Sequence, residues 1–258
     1  MHFDLSALKE LPSVSLADLD STWTTLRRYD TKFILDRDIV DQFLRQTTMR
    51  FAALEVSDAR SFTYQTSYFD TPELLLYRDH AQRRRRRVKV RTRHYVESNR
   101  TRLEVKAKLG NGQTQKMLFE DRQDIGNDEI CLINDAILEL HQSQRYREIA
   151  DRLQPTAVTT FQRSTVINRD SVERITVDSA LALEAANKKF EMLPNLVLVE
   201  IKSPHRISDS VRHLRKLGIH PTSFSKYCAA VEAAEIMRPR IHSASKLAQT
   251  LTASKTLV

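Results

Sequence analysis

Glycine is scarce, with only four in 258 residues. Loops that cradle phosphate on backbone amides need glycine for close approach, and neither GxxxxGK[ST] nor GxGxxG is present. Any phosphate bound here is bound by side chains. Cysteine is limited to Cys131 and Cys228, in no CxxC and at no zinc spacing. That pair predicts buried free thiols and a reducing compartment. No apolar run approaches the ~18 residues of a membrane span. The opening stretch, "MHFDLSALKELPSVSLADLD", has neither a basic n-region nor a continuous apolar core, so it does not read as a secretory signal. These absences point to a cytoplasmic protein without a transmembrane segment, although a membrane partner remains possible.

Cations are abundant. Lys and Arg total 41 against 33 Asp and Glu, a formal charge of +8, which predicts a polyanionic partner without naming it. The eight histidines show no metal spacing. Hydrophobic residues make up 41%, enough for a core. No long linker divides the chain. The expected organisation is a weakly ordered leader over 1–22, one domain over 23–238 and a flexible tail over 239–258.

Period-two alternation marks strands at 27–35, 63–70, 87–95, 101–109, 157–167, 173–179 and 195–203. Helical periodicity appears at 36–48, where Asp36 is placed to cap, at 129–152, at 208–217 before Gly218, and at 226–237. This is an α+β pattern. In strand after strand one face is ionised. Arg87, Lys89, Arg91 and Arg93 oppose Val88, Val90 and Thr92, while Arg102, Glu104, Lys106 and Lys108 oppose Leu103, Val105 and Ala107. Single acids (Asp30, Glu104, Asp178 and Glu200) interrupt the cations. An antiparallel sheet with one wet face would expose such charges harmlessly. Repeated like charges two residues apart nevertheless repel unless water or an anion intervenes. A closed barrel with an apolar exterior resolves this by turning the charged face into a lumen. Cations with a few carboxylates then suit a metal-dependent triphosphate or polyphosphate site. Glu200 follows the apolar "LVLV" and must be paired or ligate metal. Asp178 is either a ligand or a partner of Arg174, and Asp70 caps the turn or helix at Thr71–Pro72.

The stretches "RRYDTKF", "SYFDT", "KVRTRHY", "LEVKAK", "RITVD", "VEIK" and "FSKY" occur in this order. In that order they resemble the polyphosphate polymerase domain of vacuolar transporter chaperone type, within the triphosphate tunnel metalloenzyme (CYTH-like) superfamily. The resemblance covers residues 25–235 or so. It implies an α+β fold built on an antiparallel eight-stranded β-barrel tunnel with flanking helices. It also implies metal-dependent transfer of the ATP γ-phosphate to a growing inorganic polyphosphate chain, with Mn2+ or Mg2+. Carried over position by position, Lys32, Arg91, Arg93 and Lys106 are the catalytic cations. Lys89, Arg163, Arg174, Lys202 and Lys226 continue the substrate path, and Glu200 is the metal ligand. The acidic-x-acidic-x-Lys strand of the related triphosphatases reads Arg28, Asp30 and Lys32 here, which favours polymerase over hydrolase.

Other readings compete with this one. A triphosphatase of the same superfamily would release free phosphate, and a non-catalytic polyphosphate-binding module would bind without turnover. A nucleic-acid module would need aromatics interleaved with cations, and none occurs in "RRRRRVKVRTR" until Tyr95, so no nucleic acid is expected. Within that run, Arg83–Arg86 are expected at a strand entrance, either solvated or gathering polyanion. Arg91 and Arg93 are expected to face inward with Lys89.

Overall fold

A computed structural model describes residues 5–23, 29–46, 50–110, 114–120, 122, 126–141, 144–146, 149–235 and 250–253. The class is α+β, with a large and mainly antiparallel sheet. In chain order the described elements are α1 (Ser6–Glu10), β1 (Ser13–Val14), α2 (Leu16–Trp23), β2 (Tyr29–Asp36), α3 (Arg37–Leu44), β3 (Phe51–Leu54) and β4 (Phe62–Asp70). Next come α4 (Leu75–Ala81), β5 (Arg87–Tyr95), β6 (Arg100–Lys108), β7 (Thr114–Glu120) and α5 (Asn127–His141). The last are β8 (Gln154–Asn168), β9 (Glu173–Ala185), β10 (Lys188–Met192), β11 (Leu196–Ser203), α6 (Asp209–Lys216), α7 (Lys226–Ala233) and β12 (Leu251–Ala253). None of the described helices is long and apolar enough to cross a membrane.

The chain divides into two compact units. Unit 1 comprises residues 1–63, 161–181 and 192–224, and unit 2 comprises 64–160, 182–191 and 225–258. In unit 1, β11 lies between β2 and β9. Phe33, Leu35, Ile175, Val177, Val197, Val199 and Ile201 point to one side and pack with α3 and α6. Asp36 accepts from Asp38 N at 2.9 Å, the expected cap of α3. Gly218 takes φ +76° after α6, a left-handed stop that side-chain-bearing residues adopt at a cost. Leu5, Ala7 and Leu8 are buried in this core, although they fall where the sequence suggests a weakly ordered leader. A five-residue helix is too short to show a periodic signal, and burial fixes it instead. Of the expected tail, only 250–253 are described, with Leu251–Ala253 in β12.

In unit 2, β4, β5, β6 and β7 run side by side. Val88, Val90, Leu103, Val105 and Ala107 are buried at 0–1% exposure and pack with Ile133, Ala136 and Ile137 of α5. The opposite face carries the charges, so the alternation across β5 matches the sequence reading residue for residue. Asp70 is buried and accepts from the backbone N–H of Thr71, Leu76 and Tyr77 at 2.7, 2.8 and 2.7 Å. It therefore caps α4, as its place before Thr71–Pro72 suggests. The thiols correct the expectation of burial. Cys131 is exposed on α5 and Cys228 is half-buried on α7, because each falls off the packed stripe of its helix.

Candidate functional site

Register builds the charged face of unit 2. Lys89 pairs with Lys106 and Lys106 with Lys116; Arg91 pairs with Glu104, and Arg93 with Arg102. Paired residues in an antiparallel sheet share a face, so the three lysines form one row beside the Arg91–Glu104 row. Glu104 is 1% exposed at its side chain, and its Oε2 accepts from Arg91 Nε at 2.8 Å. Its Oε1 lies 3.4 Å from Arg93 Nη1. Burial alone would raise the Glu104 carboxyl, but Arg91 and Arg93 hold it well below the usual range. One carboxylate thus serves two guanidiniums, and the face keeps net positive charge. Arg93 Nε and Thr66 Oγ1, opposite each other in β5 and β4, are buried without a hydrogen-bond partner.

Helix α7 closes on the lysine row. Ser225, its N-cap, accepts from Lys89 Nζ at 2.9 Å. Lys226, the first residue of the helix, is half-buried next to it. The helix is anchored by Tyr227, which donates to Asp70 Oδ2 at 2.5 Å and stacks on Tyr68 with ring centroids 5.2 Å apart. His80 Nδ1 lies 2.9 Å from Leu76 O and donates to it, since a carbonyl can only accept. Burial, with Lys89 nearby, lowers its imidazole to about 2, so it stays neutral.

The Arg83–Arg86 stretch lies outside this arrangement. All four residues are exposed, and Arg84 Nε lies 3.0 Å from the buried carboxylate of Asp79, which also binds Arg145 at 2.9 Å.

Unit 1 carries a second charged face. The β2–β11–β9 registers align Lys32, Glu200 and Thr176 in one row, and Asp30, Lys202 and Arg174 in the next. Glu200 is bound by Lys202 and lies 4.0 Å from Lys32, whose Nζ donates to Phe224 O at 2.9 Å. Burial favours the neutral acid at Glu200, but Lys202, Lys32 and Arg163 outweigh it and hold the carboxyl well below its ordinary value. Lys202 is pushed down to about 8 by burial, against the opposing pull of Glu200 and Asp30. Asp178 is gripped by Arg163, at 2.6 and 2.7 Å, a partner the sequence reading does not name.

The ten residues singled out from the sequence therefore divide evenly. Lys89, Arg91, Arg93, Lys106 and Lys226 gather in unit 2, and Lys32, Arg163, Arg174, Glu200 and Lys202 in unit 1. Arg28 lies outside the described residues. The sequence reading counts Glu104 only among the acids of the charged faces, assigns nothing to Ser225 or His80, and has no strand at β7 with Lys116. A signal for β7 was present, since Met117 and Phe119 alternate with Lys116, Leu118 and Glu120.

Among the described residues no three of His, Cys, Asp and Glu gather as a metal-binding cluster. A divalent cation held with phosphate needs fewer, because one or two carboxylates suffice when phosphates and water complete the shell. Glu200 is ionised, and Thr176 Oγ1, in its row, is buried without a partner. That donor set fits such a cation.

The VTC domain family matches residues 27–235. The chain belongs to this family. No curated protein matches. Among solved structures, the PH1819 protein of Pyrococcus horikoshii is similar at 13% identity and TM-score 0.46, over 80% of this chain and 99% of that one. HpAC1 of Hippeastrum, described by a dominant triphosphatase activity, is similar at 15% identity and TM-score 0.40, over 84% of this chain and 100% of that one.

Proposed function

We propose that the protein is a metal-dependent polyphosphate polymerase that transfers the γ-phosphoryl group of ATP to a growing inorganic polyphosphate chain. What carries the reading is that, in a member of the VTC domain family, two cation-rich strand faces each hold a buried, ionised carboxylate among lysines and arginines. Phosphoryl transfer asks mainly for charge neutralisation and in-line placement. A terminal polyphosphate oxygen forms the new bond to the γ-phosphorus. The bond from that phosphorus to the β–γ bridging oxygen breaks, and its electron pair leaves on ADP. The attacking oxygen is already ionised, so no strong general base is required.

In this reading Arg91, Arg93 and Lys106 of unit 2 neutralise the nucleotide phosphates, guanidiniums being suited to bidentate contacts. On the face of unit 1, considered by itself, Lys32 is the cation that neutralises phosphate beside Glu200. Lys89 and Lys226, and in unit 1 Arg163, Arg174 and Lys202, bind further phosphates of the chain. Glu200, with Thr176 Oγ1, holds Mn2+ or Mg2+, which when bound withdraws charge from phosphate oxygens. The substrates are ATP and polyphosphate, the setting is cytoplasmic, and nucleic acid is not a partner.

The test is the product ratio from purified protein with ATP and Mn2+. ADP matched by long polymer is the expected result, and Glu200→Gln or chelation of the cation should abolish it. Free phosphate without polymer would move the protein to triphosphatase chemistry. ATP binding with no turnover would make it a binding module.

A further inference from the structure

The charged face of β4 and β5 ends in an aromatic pair that the phosphate chemistry does not use. Tyr64 and Tyr95 are register partners, with ring centroids 5.1 Å apart and planes at 61°. Both are half-buried, whereas Tyr68, the next aromatic along that face of β4, is 4% exposed and stacked on Tyr227. Each member of the pair carries a guanidinium: Arg93 Cζ lies 5.7 Å from the Tyr64 centroid, and Arg102 Cζ lies 5.3 Å from that of Tyr95. In the adjacent row on the same face are Arg93 Nε and Thr66 Oγ1, two buried polar atoms with no partner in the protein.

Cross-strand packing accounts for two tyrosines meeting edge to face. It does not account for donors left without acceptors beside them, since buried polar groups are otherwise almost always satisfied. Aromatic rings backed by arginine are a stacking surface for a nucleobase, and unsatisfied donors next to that surface suit the oxygens that follow a base. Alternate residues of a strand are ~6.7 Å apart, so Tyr95, Arg93, Arg91 and Lys89 form a ladder that an extended nucleoside triphosphate spans.

We propose that Tyr64 and Tyr95 bind the nucleobase of the phosphoryl donor, with Arg93 Nε and Thr66 Oγ1 meeting ribose or phosphate oxygens next to it. The inference rests on the reading of unit 2 as a triphosphate site and adds what that reading lacks, a reason to select a nucleotide over inorganic tripolyphosphate. Stacking tolerates different bases, because each has a π-face, so the selection is for a base as such.

The test compares equilibrium binding of a non-hydrolysable ATP analogue with that of inorganic tripolyphosphate. Tyr64→Ala and Tyr95→Ala should each weaken the analogue about tenfold and leave tripolyphosphate affinity unchanged, which also reports that the variants are folded. Tyr95→Phe, which keeps the ring, should bind both ligands as the unaltered protein does. Parallel losses for the two ligands would overturn the inference, by reducing the tyrosines to supports for Arg93 and Arg102. Unchanged affinity for the analogue would overturn it as well. Either result leaves the triphosphate site standing. Failure of the unaltered protein to bind either ligand would remove both.

Discussion

Arg91 and Glu104 face each other across β5 and β6, with the guanidinium Nε 2.8 Å from a carboxylate that is 1% exposed. The acid sets the spacing of two cations, because Arg93 leans on its other oxygen. Glu104→Gln should cost about 3 kcal/mol, the scale for breaking a buried ion pair from one side. The measurement is the urea midpoint. Tripolyphosphate should restore part of the loss, since an anion bound only by the folded state stabilises it. A variant as stable as the parent would show that Arg91 and Arg93 do not depend on Glu104.

Arginines in the run from Arg83 to Arg93 should not be equivalent. Arg91→Ala should remove polymer synthesis. Arg85→Ala, at an exposed position, should leave turnover intact and at most raise the apparent KM for polyphosphate in a way that fades with added salt. Steady-state kinetics at two ionic strengths separate the cases, and equal losses at both positions would erase the distinction.

Tyr227 ties α7 to Asp70. Tyr227→Phe removes that hydroxyl while leaving Asp70 its three backbone donors. The expected cost is about 1.5 kcal/mol, for a hydrogen bond to a charged group. The affinity for tripolyphosphate should fall with it, because α7 carries Ser225 against Lys89. Loss of stability without loss of affinity would confine Tyr227 to the core.

His80 supplies the pH dependence. Folded, it stays neutral down to about 2 because burial and Lys89 oppose its proton. Unfolded, it takes that proton below its ordinary ~6.5. Its contribution is therefore fully present above about pH 6.5 and is lost as pH falls through the window down to about 2. At pH 5.5 the loss is about 1.4 kcal/mol. Denaturation midpoints at pH 7.5 and 5.5 check this. His80→Asn should show a smaller drop than the parent, and an identical drop would assign the effect to other groups.

Local order was legible wherever one short-range rule decided it. The bounds of β5, the Asp36 cap, the stop at Gly218 and the capping role of Asp70 all follow from period-two alternation or from terminal backbone groups that need partners. Apart from β7, whose alternation the sequence carries, what is not legible there is short or long-range. The five-residue α1 and the seven-residue α4 offer too few turns for periodicity. Asp178 could be placed on a charged face but not matched to Arg163, because that partner comes from another strand.

The sequence by itself determined which residues share a face, since a strand alternates its side chains whatever it pairs with. Arg91, Arg93, Lys106, Lys32 and Glu200 were separable from their apolar neighbours on that ground alone. Only the tertiary structure decided the partners. Register placed Glu104 between two arginines, Glu200 between Lys202 and Lys32, and Tyr64 against Tyr95. Register depends on hairpin geometry and on the packing of the buried face, neither of which is written in the charged residues it brings together.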